Sequence, residues 1–308
     1  MDLGEFELIA QVTDHLPAGD DVVLGVGDDA AVLRPLGDVV VTTDMLVEGI
    51  HFRKVWSPAF QIGRKAVAVN VSDVESMGAT PSAVVMALGL PEDVDLDWVR
   101  QLSAGVRDEC ARAGVSLVGG DVSRAREVVI TVTALGNLDD RAPVTRSGAR
   151  VGDVVAVAGR LGWAGAGLTV LQRGFGSPKE LVAEQQCPTV PYGQGAKAAA
   201  AGATAMVDIS DGLLADLGHI CESSGVGMDL GTHHFELPDA IQRLSAATGL
   251  SPWTFILGGG EDHALAATFP DGAALPDGWR QVGVVTRGDA VTVDGEAWDG
   301  PRGWNHFA

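Results

Sequence analysis

Two stretches with helical periodicity, residues 58–77 and 96–114, alternate with β-branched runs, and this alternation restricts the fold more than any other feature. Ile62, Ala66, Val69, Asp73 and Met77 recur at three- and four-residue steps, the period of one helix face. LDWVRQLSAGVRDECARAG (96–114) is amphipathic and stops at Gly114. Around them VVLGV (22–26), VVVTTD (39–44), AVVMALGL (83–90), VSLVGGD (115–121) and VVITVTALGN (128–137) read as strands. The polar, turn-rich TRSGARVGD (145–153) marks a boundary. Beyond it come a strand VVAVAG (154–159), a Gly/Ala-rich helix, a loop-like stretch to about residue 193, the strand AMVDIS (205–210) and the helix GLLADLGHICESS (212–224). FILGGGED (255–262), ALAATF (264–269), QVGVVT (281–286) and VTVDG (291–295) are mostly strand-like. Helices and strands mix in both halves, so we expect an α/β (α+β) protein of two domains, 1–148 and 149–308.

The chain has 308 residues and is 46% hydrophobic, enough to bury a sizeable core. Its formal net charge of −20 would repel a nucleic-acid backbone, which argues against a nucleic-acid partner. The start, MDLGEFELIAQ, lacks the basic segment of a signal peptide. No apolar stretch reaches the roughly 18 residues of a membrane span. Cys110, Cys187 and Cys221 have no zinc-ligand spacing and read as buried free thiols. Together these features suggest a cytoplasmic protein with no membrane partner.

Aspartates close several of the apolar runs: GVGDDAA (25–31), TTD (42–44), GGD (119–121) and VDISD (207–211), with Asp73 on the first helix. Each has a structural reading. Adjacent acids make side-chain turns, and Asp211 before a helix could be its N-cap. The set also admits a functional reading. Strand ends on one sheet edge converge, and converging carboxylates repel unless a cation sits among them. Oxygen donors with few His or Cys nearby favour Mg²⁺. Thr42 and Thr43 add neutral oxygens beside Asp44.

No lysine-bearing phosphate loop, G-x-x-x-x-G-K-[ST], occurs, and the chain has four lysines. GRLGWAGAG (159–167) fails the dinucleotide spacing. A bound phosphate chain would therefore need metal ions to offset its charge. Arg146 is the best single cation for a phosphate contact, with a solvated surface arginine as the alternative.

GVGDDAA, TTDMLVEGIHF, AVNVSDVESMGA, LVGGD, VTRSGAR, VDISDGLLADLGHI and LGGGED, in this order, resemble the bacterial thiamine-monophosphate kinase family, within the aminoimidazole-ribonucleotide synthetase-like superfamily. The likeness runs from about Gly4 to Phe307. It implies transfer of the ATP γ-phosphoryl to thiamine monophosphate, giving thiamine diphosphate and ADP. It implies Mg²⁺ ligands at Asp29, Thr42, Thr43, Asp44, Asp73, Asp121, Asp208 and Asp211, and nucleotide contacts at Gly120, Asp121, Arg146 and Ser210. It places His51, Glu261 and Trp304 on the thiamine-phosphate side. It also implies a homodimer through the N-terminal sheet, and a C-terminal α+β domain completing the active-site cleft. Four positions depart from the family pattern: His263 replaces a usual Tyr in GGEDY and Ala264 the acid that commonly follows it, Val122 a common Thr, and Trp304 a frequent Tyr.

The acceptor is itself a phosphate monoester, largely ionised at neutral pH because its second pKa is about 6. A general base is then unnecessary, and none of the familiar base constellations is present. We expect direct, metal-assisted in-line transfer with no catalytic side chain acting as base. Two alternatives weigh less. A selenophosphate synthetase needs a reactive N-terminal Cys, and here none precedes Cys110; a hydrogenase-maturation enzyme needs a terminal Cys, and this chain ends GWNHFA. A non-catalytic Mg²⁺/nucleotide-binding protein would have lost metal ligands, and none of the matched positions is lost.

Overall fold

The structure is a computed structural model and describes residues 19–303. The chain divides into two compact units, residues 1–74 with 79–140, and residues 75–78 with 141–308.

The first unit is built on a four-stranded sheet of order β3-β6-β4-β5, formed by β3 (Val39–Val47), β4 (Thr80–Leu90), β5 (Ser116–Arg124) and β6 (Val129–Asn137). β4 and β5 are parallel and the other pairs antiparallel. β1 (Val22–Leu24) and β2 (Val32–Leu33) form a separate small antiparallel pair. Among the described residues two helices, α1 (Ala59–Ser76) and α2 (Leu96–Ala113), accompany the sheet. Asp95 caps α2 through a bond from the Asp97 N–H, and Gly114 ends it in the left-handed conformation. The helices approach closely at two glycines. A Cβ on Gly63 would strike the Leu102 carbonyl, and one on Gly105 the Phe60 carbonyl. α1 is buried around almost its whole circumference from Lys65 to Ser72, beyond the single apolar stripe expected of it.

Alternation decides what each sheet face presents. On β6, Ile130, Val132 and Ala134 are buried, as are Met86 and Leu88 on β4. The other face leaves Val39, Val41, Met45 and Val85 exposed.

The second unit is a seven-stranded sheet of order β13-β12-β9-β11-β7-β10-β8. Its strands are β7 (Val154–Ala158), β8 (Ala205–Ile209), β9 (Gly227–Leu230), β10 (Ala264–Phe269), β11 (Trp279–Thr286), β12 (Val291–Val293) and β13 (Glu296–Ala297). Helices α3 (Trp163–Gln172), α4 (Lys179–Gln186), α5 (Gln194–Ala200), α6 (Leu213–Ser224), α7 (Asp239–Thr248) and α8 (Pro252–Gly258) complete it. Both faces are covered. Val155, Val157, Val207, Ile209 and Ala266 join one core cluster, and Ala156, Met206, Leu265 and Phe269 the other. Among the described residues no helix is long and apolar enough to cross a membrane. All three cysteines are buried and free.

Two local expectations are corrected. The stretch before residue 193 contains α4, an eight-residue helix between Pro178 and Pro188, too short for its period to stand out. Phe255–Gly258 is helical rather than strand, because Ser251 caps α8 by accepting from the Trp253 N–H at 3.3 Å and Pro252 occupies the first turn. A short apolar run does not by itself distinguish the two.

Candidate functional site

In the first unit α1 holds β3 and the loop after it at three points. Asp73 accepts from the Thr42 hydroxyl at 2.8 Å. The Asn70 Oδ1 accepts the Asp44 backbone N–H at 2.8 Å, while its Nδ2 donates to the Ala66 carbonyl at 2.9 Å. The Lys65 ammonium, on a residue only 2% exposed, reaches the His51 carbonyl at 3.3 Å. His51 Nδ1 accepts the Val47 N–H at 3.0 Å, which leaves the proton on Nε2 in the neutral ring. Lys65 left no signal in the sequence, where it follows Arg64 and precedes the apolar run Ala66–Val69. Asn70 left a signal there, three residues before Asp73 on the same helix.

Strand alternation sorts the expected oxygen donors. Thr42 and Asp44 share a sheet face, whereas the Thr43 side chain projects from the other. It donates to the Val132 carbonyl at 2.9 Å and lies 3.2 Å from the Thr133 hydroxyl. The expectation that both threonine hydroxyls flank Asp44 is therefore corrected: Thr42 does and Thr43 does not.

A second group lies elsewhere in this unit. Val26–Ala31, Val85, Ala87 and Val118–Asp121 line a cavity of about 870 Å³. Asp28, Asp29, Gly120 and Asp121 are among these residues, and no lysine or arginine is. The Asp28 carboxylate accepts the Asp29 N–H at 2.9 Å, so Asp28 is the turn-former and the Asp29 side chain is not used in that turn.

The expected convergence of strand-end aspartates fails inside this unit. Asp44 and Asp121 are interior to their strands, and β3 and β5 are opposite edges of the sheet. Asp44 pairs with Val132, Val132 with Met86, and Met86 with Gly120, the neighbour of Asp121. Three strand spacings put Asp44 and Asp121 about 14 Å apart. The structure brings Asp29 together with Gly120 and Asp121, and separately Thr42 with Asp44 and Asp73.

The second unit carries the other acidic group. Asp208 is only 4% exposed within the apolar β8, and its Oδ2 lies 3.1 Å from His263 Nδ1. The segment Gly260–His263 is fixed against the turn after β8. The Glu261 N–H donates to the Ser210 carbonyl at 2.7 Å and the His263 N–H to the Ile209 carbonyl at 2.8 Å. Glu261 and His263 both take positive φ, +68° and +48°, a conformation that costs non-glycine residues about 1–3 kcal/mol. Between them the Asp262 carboxylate accepts the N–H groups of Gly162 and Ala164, capping α3 from a distance of 98 residues. Burial raises the Asp262 carboxyl to about 7, against the lowering effect of those two bonds.

Asp211 is not the N-cap of α6. Gly212 occupies that position, and the Asp216 carboxylate accepts the N–H groups of Asp211 and Gly212 at 3.1 and 3.0 Å. The Asp211 side chain is thereby left out of the cap. Burial, with Asp208 and Asp211 nearby, pushes Asp216 up to about 7. Asp211, Asp216 and His219 each offer a ligand atom within 4.8 Å of the others'. Asp216 and His219 were not singled out from the sequence, although their D-x-x-H spacing shares one helix face. The exposed Arg146 sits in a loop held by the Ser224 hydroxyl, which donates to the Arg146 carbonyl and accepts from the Gly148 and Ala149 N–H groups. Among the described residues its guanidinium has no ion-pair partner. Trp304 lies outside the described residues.

Apart from the His219 ring, these donors are carboxylates and hydroxyls with no thiolate among them, a chemistry that fits Mg²⁺.

Comparison with known proteins agrees along the whole chain. Residues 27–138 match the AIR synthase related protein N-terminal domain, and residues 150–295 match the corresponding C-terminal domain. The thiamine-monophosphate kinase of Mycobacterium tuberculosis (strain H37Rv) is 46% identical over 99% of this chain and 92% of its own length. That of Corynebacterium glutamicum is 40% identical over 99% of this chain and 94% of its own. Among solved structures, AaThiL complexed with AMPPCP and TMP superposes with a TM-score of 0.82 at 33% identity, covering 100% of this chain and 99% of that one. The hydrogenase maturation protein HypE shares the fold alone, at 21% identity and a TM-score of 0.72 over 89% of this chain and 88% of its own. The chain belongs to the thiamine-monophosphate kinases of the AIR synthase-related superfamily.

Proposed function

We propose that this chain makes thiamine diphosphate by direct, Mg²⁺-dependent transfer of the ATP γ-phosphoryl to thiamine monophosphate. The observation that carries the metal dependence is the cavity bearing Asp28, Asp29 and Asp121 with no basic residue in its lining. A triphosphate cannot approach such a surface unless cations accompany it. Bound Mg²⁺ would screen the two phosphate-bearing substrates and stabilise the charge that develops on the transferring oxygens. Asp29, Thr42, Asp44, Asp73, Asp121, Asp208 and Asp211 are the side chains we assign to hold it, with Thr43 limited to its backbone oxygen. Gly120, Asp121, Arg146 and Ser210 are assigned to the nucleotide. His51, Glu261 and Trp304 are assigned to the thiamine phosphate. The neutral His51 ring, protonated on Nε2, is suited to donate to a phosphate oxygen. Both ligand classes accompany AaThiL in its complex with AMPPCP and TMP, and we carry them to this chain.

We further assign a cytoplasmic homodimer, residues 1–148 binding MgATP and dimerising, and residues 149–308 completing the site. The exposed apolar side chains of Val39, Val41 and Met45 on one sheet face support dimerisation, since such apolar patches mark interaction surfaces. Two open edges, β3 and β5, also offer a second copy a way to bring its Asp121 towards Asp44.

Rapid quenching after mixing with γ-³²P-ATP, Mg²⁺ and thiamine monophosphate tests the chemistry. Label should pass to thiamine diphosphate without passing through protein, and EDTA should stop it. A labelled protein species formed and consumed at the turnover rate would overturn direct transfer.

A further inference from the structure

We propose that His263 is a positioning residue that fixes the carboxylate of Asp208 for cation binding. The inference rests on the assignment of Asp208 as a metal ligand. It starts from the strand register. Leu265 of β10 pairs with Asp208 of β8, and Ala264 with Ile209. His263 immediately precedes β10, and its ring reaches the Asp208 carboxylate on the neighbouring strand. Both residues are buried, at 4% exposure each, and the ring and carboxylate meet at 3.1 Å. Carboxylate oxygens only accept, so Nδ1 carries the proton and Oδ2 receives it. One oxygen is committed to the ring, which restricts the carboxylate rotamer.

The surroundings hold the ring where this bond needs it. The His263 N–H is tied to the Ile209 carbonyl, the Glu261 N–H to the Ser210 carbonyl, and Asp262 between them is locked onto the start of α3. His263 keeps its left-handed φ of +48° within these constraints. A histidine tolerates that conformation better than most side chains, and asparagine shares the tolerance. The arrangement matches the way groups outside the coordination sphere orient metal-ligating carboxylates, where their loss weakens metal affinity about 10–100-fold.

The test measures binding of AMPPCP by calorimetry at stepped Mg²⁺ concentrations, with no turnover required. The readout is the Mg²⁺ concentration that gives half-maximal affinity. His263→Phe, which removes the donor and keeps a ring, should raise it about tenfold or more. His263→Asn places an amide N–H where Nδ1 stood and should stay within about threefold of the parent. Melting curves without metal report whether each variant is folded, and His263→Gln, which moves the donor outward, takes the place of His263→Phe if that variant does not fold. Asp208→Asn separates the two layers of the argument. If it leaves the Mg²⁺ requirement unchanged, Asp208 is no ligand and the inference falls with that assignment. If Asp208→Asn weakens Mg²⁺ binding while the donor-lacking variant does not, or if His263→Asn fails to rescue, the positioning role alone is overturned.

Discussion

Asp44 and Asp121 are exposed carboxylates, so their replacement buries no unpaired charge. Asp44→Asn and Asp121→Asn should each lower turnover by more than 100-fold in a thiamine diphosphate assay. Their unfolding free energies should stay within about 0.5 kcal/mol of the parent, as for surface changes generally. Asp262 behaves in the opposite manner. Its folded carboxyl titrates near 7 against an ordinary 3.8, so between those values the native state holds a proton that the unfolded chain has released. Its contribution is complete below about pH 4 and is lost as pH rises through 7. Melting curves from pH 4.5 to 8 should show the parent losing stability relative to Asp262→Asn over that window. Burial also raises Cys110 to about 12 and Cys221 to about 11. Neither thiol should react with a thiol reagent at pH 8 until urea unfolds the chain.

At the scale of elements, α1 does more than cover a sheet. Lys65, Asn70 and Asp73 lie along it and hold the His51 loop, the Asp44 backbone and the Thr42 hydroxyl in turn. Its position depends on the crossing with α2, where Gly63 and Gly105 let two backbones touch. Gly63→Val or Gly105→Val should destabilise the protein by about 1–3 kcal/mol in urea titrations, because the clash is with backbone carbonyls rather than movable side-chain ends. The helical period of residues 58–77 was legible because its apolar positions repeat over five turns. α4 and α8 were not, since eight- and seven-residue helices give at most two repeats of the period.

At the scale of the molecule, one sheet face of the first unit carries exposed apolar side chains, with Val41 61% and Met45 51% exposed. Val41→Glu and Met45→Glu place charge on that face without touching the buried side of β3. Sedimentation should show the parent as a dimer and these variants as monomers, with turnover falling in parallel if Asp44 and a partner's Asp121 serve one site. A dimeric, fully active variant would separate the face from the assembly.

The sequence by itself determined the two-domain α/β class, the family, the buried thiols and the acidic character of the site, because periodicity, composition and ordered motifs are local properties. The turn at Asp28, an acid that bonds its neighbour's N–H, is likewise a short-range preference. Only the tertiary structure decided which acids meet. Strand order sends Asp44 and Asp121 to opposite edges of one sheet, and alternation turns Thr43 away from Thr42. The cap of α6 passes from Asp211 to Asp216, and the ring of His263 comes to rest on Asp208 across a gap of 55 residues. Those outcomes depend on register between distant strands, which is set by how the whole core packs rather than by any residue's neighbours in the chain.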